Sequence, residues 1–183
     1  TDEAIGHCRR ILELRPNYVD AYFKLSSLMF EQGEFTEPET YRNPDLYQHP
    51  SYMEAAVSLA EKLLELGQVE RSCEYFRHIL DLEPDSVEAL NALAWIQATM
   101  ATHVVYDPAG AVELARKACE ITSYESPEVL DSLAVAHAAH GDFDRAIEFS
   151  RKAVVLANAS GNKPLAGRIG KRIALYQREQ PYR

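Results

Sequence analysis

His137 and His140 are the residues of this chain best suited by type and spacing to hold a metal. Three positions apart on a helix, two side chains are neighbours. A protein zinc site draws on at least three protein ligands, and no third one stands near this pair, so the pattern predicts that His137 packs. Asp131, Ser132 and His137 have the residue types of a nucleophilic hydrolase. A working triad gathers its members from separate elements, whereas these three share one helical stretch. Cys8, Cys73 and Cys119 are an odd, scattered set with no CxxC pair, which excludes a disulfide framework. They read as small apolar helix residues, and their sparseness points to a reducing compartment. No glycine-rich phosphate loop or nucleophile elbow appears. The expectation is a chain with no catalytic residue, no cofactor and no metal.

A repeat must position these residues. "ILELRPNYVDAY" at 11–22 returns as "ILDLEPDSVEAL" at 79–90, and Pro16, Pro50 and Pro84 fall at intervals of 34. From Val19 the chain reads "VDAYFKLSSLMFEQGEF", from Met53 "MEAAVSLAEKLLELGQV", from Val87 "VEALNALAWIQATMA" and from Pro127 "PEVLDSLAVAHAAHGDF". In that register Leu25, Leu59, Leu93 and Leu133 share position 7, and Ser26, Ala60, Ala94 and Ala134 share position 8. Gly33, Gly67 and Gly141 share position 15, with Ala101 as the departure. This pattern resembles the tetratricopeptide repeat (TPR) over residues 2–160. The resemblance implies an all-α fold, a right-handed α-solenoid of helical hairpins closed by a C-terminal capping helix. The physics agrees with it. Positions 4, 7, 8 and 11 share one helix face, a glycine ends the first helix by taking a left-handed backbone, and a proline follows the second. One hairpin cannot bury its own apolar face, so copies must stack.

The chain reads as one domain, 1–183, in successive pieces. Residues 2–18 form a half repeat with only its second helix, whose flank of Ile5, Cys8 and Leu12 is expected to fray or to meet another chain, giving a route to self-association. Residues 19–52 form a repeat whose second helix is broken by Pro38 and Pro44, within a tyrosine-rich stretch (Tyr41, Tyr47, Tyr52) that serves either as irregular packing or as a contact surface. Residues 53–86 are regular. Residues 87–126 carry the insertion "THVVYDPAG", where Asp107 should cap the next helix and Pro108 start it. Residues 127–160 are regular again. In 161–183, Leu165, Ile169, Ile173 and Tyr176 make one stripe with the basic residues opposite, as a capping helix and tail. The start at Thr1, inside a repeat, suggests a piece of a longer parent.

Charge limits the partners. The net charge is −9, yet residues 161–183 carry six basic residues against Glu179 alone. The remaining acidic body argues against nucleic acid, whose binding needs clustered Lys and Arg. Apolar runs of only a few residues argue against direct membrane contact by this fragment. Positions that miss the second helix line the concave side of a TPR stack. Here the groove candidates are Phe23, Lys24, Ser27, Phe30 and Glu31, then Glu54, Glu61 and Glu65, then Glu88, Asn91 and Trp95, with Asp131 in the last repeat. The groove is expected to be acidic, with exposed apolar islands at Phe23, Phe30 and Trp95. Trp95 reads either as an anchor for a partner or as packing beneath the insertion loop. The family's best-known site clamps a C-terminal carboxylate with Lys, Asn and Arg. The matching places hold Phe23, Ser27, Ser58, Glu88 and Ala92, so that clamp is absent. The resemblance therefore implies a non-catalytic scaffold that binds an extended basic or apolar protein segment. A looser resemblance links "NALAWIQATMATHVVYDPAGAVELARKACE" and "RIALYQREQPYR" to the TPR tails of large bacterial membrane proteins, several of them glycosyltransferase-like. It implies an alternative role, a regulatory or substrate-docking tail of such an enzyme.

Overall fold

The computed structural model describes residues 2–15, 18–32 and 51–183, and the regular elements among them are all α-helices. They are α1 (Asp2–Leu14), α2 (Val19–Glu31), α3 (Tyr52–Glu65), α4 (Val69–Leu82), α5 (Val87–Thr99), α6 (Pro108–Ile121), α7 (Pro127–His140), α8 (Phe143–Ala159) and α9 (Lys163–Tyr176). The proline-broken stretch expected over 36–52 lies outside the described residues up to position 50. Its last tyrosine, Tyr52, opens α3 and is fully buried, with its phenol 3.1 Å from Nε2 of His78. Tyr52 is thus a core residue and not a surface contact.

The chain divides into two compact units, 1–79 and 80–183. In the first, α1 packs on α2 and α2 on α3, and the Ser72 hydroxyl of α4 donates to the Ala60 carbonyl of α3 at 2.7 Å. In the second, each helix from α5 to α9 packs on the one that follows, and α5 also meets α7. That is the contact order of stacked hairpins. Small residues make it possible. Ala94, Ala111 and Ala118 between α5 and α6, and Ala134, Ala146 and Ala153 between α7 and α8, have no exposed surface. A side chain of one carbon lets two helix backbones approach towards the short end of the usual ~8–10 Å spacing.

Local chemistry sets the helix ends. Ser86, Asp107, Ser126, Asp142 and Asn162 each accept a hydrogen bond from the backbone N–H three residues on, at 3.0–3.5 Å. Each such cap is worth about 1 kcal/mol. Asp107 and Pro108 take the roles expected of them, and the insertion is tied back by the Asp107 N–H donating to the Gln97 carbonyl at 3.1 Å. Gly67 and Gly141 end α3 and α7 with φ of 73° and 91°. In both, the next N–H reaches five residues back, Gln68 to Leu63 at 2.8 Å and Asp142 to His137 at 2.9 Å. Gly161 does the same after α8, with φ 77°.

Two expectations need correction. The flank of α1 is not open, because Ile5 and Cys8 are buried against Leu25 and Leu28 of α2 and Leu12 packs on the same cluster. The apolar side chain that α1 leaves outermost is Leu14, 70% exposed. In α9 the basic residues do not all face water, since Arg172 is buried beside Leu165, Ile169 and Tyr176.

Gly141→Ala should destabilise the protein by about 1 kcal/mol, because a side chain resists the left-handed backbone. Gly170→Ala, in mid-α9 with open space where its Cβ would stand, should stabilise it by up to about 1 kcal/mol. Urea unfolding followed by circular dichroism reads both, and equal effects would contradict the assigned backbone.

Candidate functional site

In the N-terminal unit, α2 and α3 flank a shallow cavity of about 260 Å³. Asp20, Phe23, Lys24 and Ser27 face it from α2, at the helical spacing that puts them on one stripe. Ala55, Ser58 and Leu59 face it from α3. Of the groove candidates, Phe23, Lys24 and Ser27 therefore come together. Phe23 is not an exposed island. It is 5% exposed and forms the floor, its ring edge-on to Tyr52 at 5.4 Å and to Tyr22 at 5.5 Å. Asp20, Lys24 and Ser58 stand exposed at the rim. Phe30 is likewise buried, with the Arg71 guanidinium 5.5 Å from its ring centroid. Glu31 and Glu65 do not present bare charge, because Lys62 lies 3.6 Å from the first and 3.3 Å from the second. Glu65, hydrogen-bonded to it, is the main cause that raises the Lys62 pKa, and Glu31 adds to it. Glu54 and Glu61 are exposed on α3 and line no part of this cavity.

The C-terminal unit has a concave surface of another kind. Asn91 and Trp95 of α5, Asp131 of α7, and Arg168 and Arg172 of α9 line a cavity of about 350 Å³ together with Tyr182 of the tail. Glu88 stands exposed in the first turn of α5, outside it. Arg172 and Asp131 are 7% and 4% exposed and form a two-point ion pair. Nε donates to Oδ1 at 3.1 Å, and Nη2 donates to Oδ2. Burial pushes the Asp131 carboxyl above its ordinary pKa, and the guanidinium draws it back only in part. The same guanidinium lies between two rings, 5.5 Å from the centroid of Trp95 and 5.1 Å from that of Tyr182. Those rings are 5.7 Å apart and tilted. Trp95 is therefore covered by the chain's own tail. Trp95 thus packs against Tyr182 and Arg172, and Asp131 is paired with Arg172 rather than free.

Of the residues that suggested chemistry, His140 is exposed and the others are packed. His137 is 5% exposed and stacks on Phe149 at 5.4 Å, and burial lowers its pKa. The Ser132 hydroxyl donates back to the Glu128 carbonyl of its own helix at 3.3 Å. The three thiols are free and buried, and burial pushes that of Cys119 up to about 12, far from the depressed values that make a thiol reactive. Among the described residues no three His, Cys, Asp or Glu gather to hold a metal, and no helix is long and apolar enough to cross a membrane.

The sequence reading missed Ala55 and Leu59 as groove residues, named Ser58 only as a clamp-equivalent place, and missed Arg168, Arg172 and Tyr182 as members of the second cavity. One signal was available for Arg172. It falls three positions after Ile169 and four before Tyr176, on the apolar stripe itself, where an arginine implies a buried partner.

No protein-family model matches the chain. A stretch of 94 residues, half of the chain, is 34% identical to the Protein CTR9 homolog of Arabidopsis thaliana, of whose length it spans 8%. The crystal structure of MamA superposes with a TM-score of 0.59 at 18% identity, covering 88% of this chain and 91% of that one. That of BtubC from P. vanneervenii superposes with a TM-score of 0.55 at 16% identity, covering 96% and 87%. All three are TPR proteins, and the fold of this chain is the α-solenoid of TPR hairpins.

Arg172→Met should cost about 3–5 kcal/mol at neutral pH, because it leaves the Asp131 carboxylate buried and alone. A carboxyl whose folded pKa lies above its unfolded one stabilises the fold when protonated, and that contribution is lost as pH rises through the folded value. The penalty should therefore shrink on acidification. Adding Asp131→Asn should recover most of it. Chemical denaturation at neutral and acidic pH checks this, and a penalty independent of pH would remove the ion pair as its cause.

Proposed function

We propose that this array of TPR hairpins is a non-catalytic protein-interaction scaffold, and that its N-terminal unit receives an extended basic or apolar segment between α2 and α3. The observation that carries the reading is the cavity itself. Its floor is the buried ring of Phe23 with Leu59, and its rim is Asp20, Lys24, Ser27 and Ser58. Apolar floors with a few rim polar groups are the usual makeup of ligand sites. Lys24 is a lone base against a body whose acidic residues outnumber its basic ones by 28 to 19 over the whole chain, which favours a basic segment by attraction at long range. Glu61 and Glu54, exposed on α3, supply charge beside the cavity.

A second reading, a docking tail within a larger membrane enzyme, draws support from one finding. The Arabidopsis relative carries a matching stretch within a far longer chain, so repeats of this sequence type do serve as parts of long proteins. In that reading the groove keeps its role, and any reaction belongs to another part of the parent.

Peptides selected from a random display library on the intact chain should be rich in Lys, Arg and apolar residues. Ser58→Trp, which fills the cavity from an exposed position, should weaken the best of them about tenfold, or 1.4 kcal/mol. Glu61→Lys should weaken the basic ones and flatten their salt dependence. Selected peptides that bind both variants as tightly as the parent would place the docking surface elsewhere.

A further inference from the structure

The chain's own tail occupies the concave surface of the C-terminal unit. We propose that this surface is a docking site for an extended segment bearing an aromatic side chain, and that Tyr182 is its built-in, displaceable occupant. The inference stands on the C-terminal unit alone and does not depend on the α2–α3 groove.

The first support is how the ring is held. Tyr182 lies beyond the end of α9 and is only half-buried. Its ring meets Trp95 at 5.7 Å and the Arg172 guanidinium at 5.1 Å. A flat cation held in place by a carboxylate, with an indole beside it, is a seat for any aromatic ring. The ion pair with Asp131 keeps Arg172 in that position whether or not the ring is there.

The second support is the turn that brings the tail back. Gln180 N–H reaches the Leu175 carbonyl at 3.1 Å around Glu179, whose φ is 56°. The same turn uses Gly67, Gly141 and Gly161 after α3, α7 and α8, and Ser123 after α6. A glutamate resists this left-handed backbone where a glycine accepts it. The return thus runs against a local backbone preference, a cost that the ring's contacts with Trp95 and Arg172 help to offset.

The third support is unused capacity beside the ring. The cavity under Tyr182 is lined by Arg168, exposed at its edge, and by Asn91, whose Oδ1 is buried with no hydrogen-bond partner. That oxygen offers an acceptor to the backbone N–H of an incoming segment. An aromatic side chain with an extended backbone would use ring seat and acceptor together, whereas the tail uses only the ring.

Trp95 is the single tryptophan of the chain, so its fluorescence reports this site directly. The probe is the free heptapeptide of residues 177–183. Acrylamide quenching of Trp95 should rise about threefold when the covering ring is removed by Tyr182→Ala. Glu179→Pro should do the same by abolishing the turn, since proline cannot take a positive φ. It leaves the core untouched, and circular dichroism verifies that both variants are folded. Adding the peptide to the Tyr182→Ala chain should restore protection, and the peptide with Ala for its tyrosine should not. Quenching equal in the parent and both variants would overturn the proposal. So would a Trp95 that opens in the variants but is never protected again by millimolar peptide, which would make the tail a structural cap only.

Discussion

The close approach of paired helices is the constraint on which the rest depends. At the centre of each hairpin of the C-terminal unit, α5 with α6 and α7 with α8, alanines meet alanines with no exposed surface. Any larger side chain there would push the backbones apart, at a cost of about 1–3 kcal/mol for an overpacked core. Once the pair is that close, the large residues have nowhere to go but outward to the next helix. Leu90, Leu130 and Leu133 are buried in one cluster with Ala94, Ala111, Ala118 and Ala153. Turn chemistry then serves the same end. Glycines at 67, 141 and 161 allow the chain to reverse without an intervening loop, which keeps each second helix in register with the first.

A stack built in this way must stop, and its stop shapes the C-terminal unit. α9 covers the outer face of α8 with Leu165, Ala166 and Ile169, and Tyr176 packs on Ala134, Ala138 and Ala146. Into that apolar stripe the chain sets Arg172, paired with Asp131 of α7. Pairs of this kind gain little net stability, since desolvation offsets most of the attraction. What the pair does supply is position. It ties α9 to α7 across 41 residues of sequence, at one rotation of the helix, and it fixes the guanidinium where two aromatic rings converge on it.

Most of the fold was legible because it follows from periodicity. Helices, their order, the left-handed glycines and the caps at Asp107 and Pro108 all depend on residues close in sequence, and spacing reports such relations directly. The concave surface was legible only in part. Phe23, Phe30 and Trp95 occupy repeat positions expected to face the concave side, but position does not say what else covers them. Tyr52 of α3 covers Phe23, Arg71 of α4 lies over Phe30, and Tyr182 lies over Trp95. The last contact spans 87 positions, from a tail with no repeat register at all. Charge counting failed at Arg172 for a related reason. A tally of basic residues by segment treats each as solvated, and a buried ion pair is visible only when both partners are known.

The two concave surfaces therefore differ in state while obeying the same rule. In the N-terminal unit the rim residues Ser27 and Ser58 are small, and the Phe23 ring lies at the floor of the cavity. In the C-terminal unit Trp95 stands at the repeat position of Ser27, and Asn91 and Asp131 stand at that of Phe23. Tyr182, beyond α9, provides Trp95 and Arg172 with a partner. The repeat dictates which residues face inward, and chain outside the repeat register decides which of them stay open. A groove whose aromatic and ionic groups are already engaged presents a threshold to any ligand, because binding must first replace contacts as good as those of Tyr182 with Trp95 and Arg172. On the docking roles proposed for the two surfaces, a groove floored by Phe23 and rimmed by Asp20, Lys24, Ser27 and Ser58 would present no such contacts to replace.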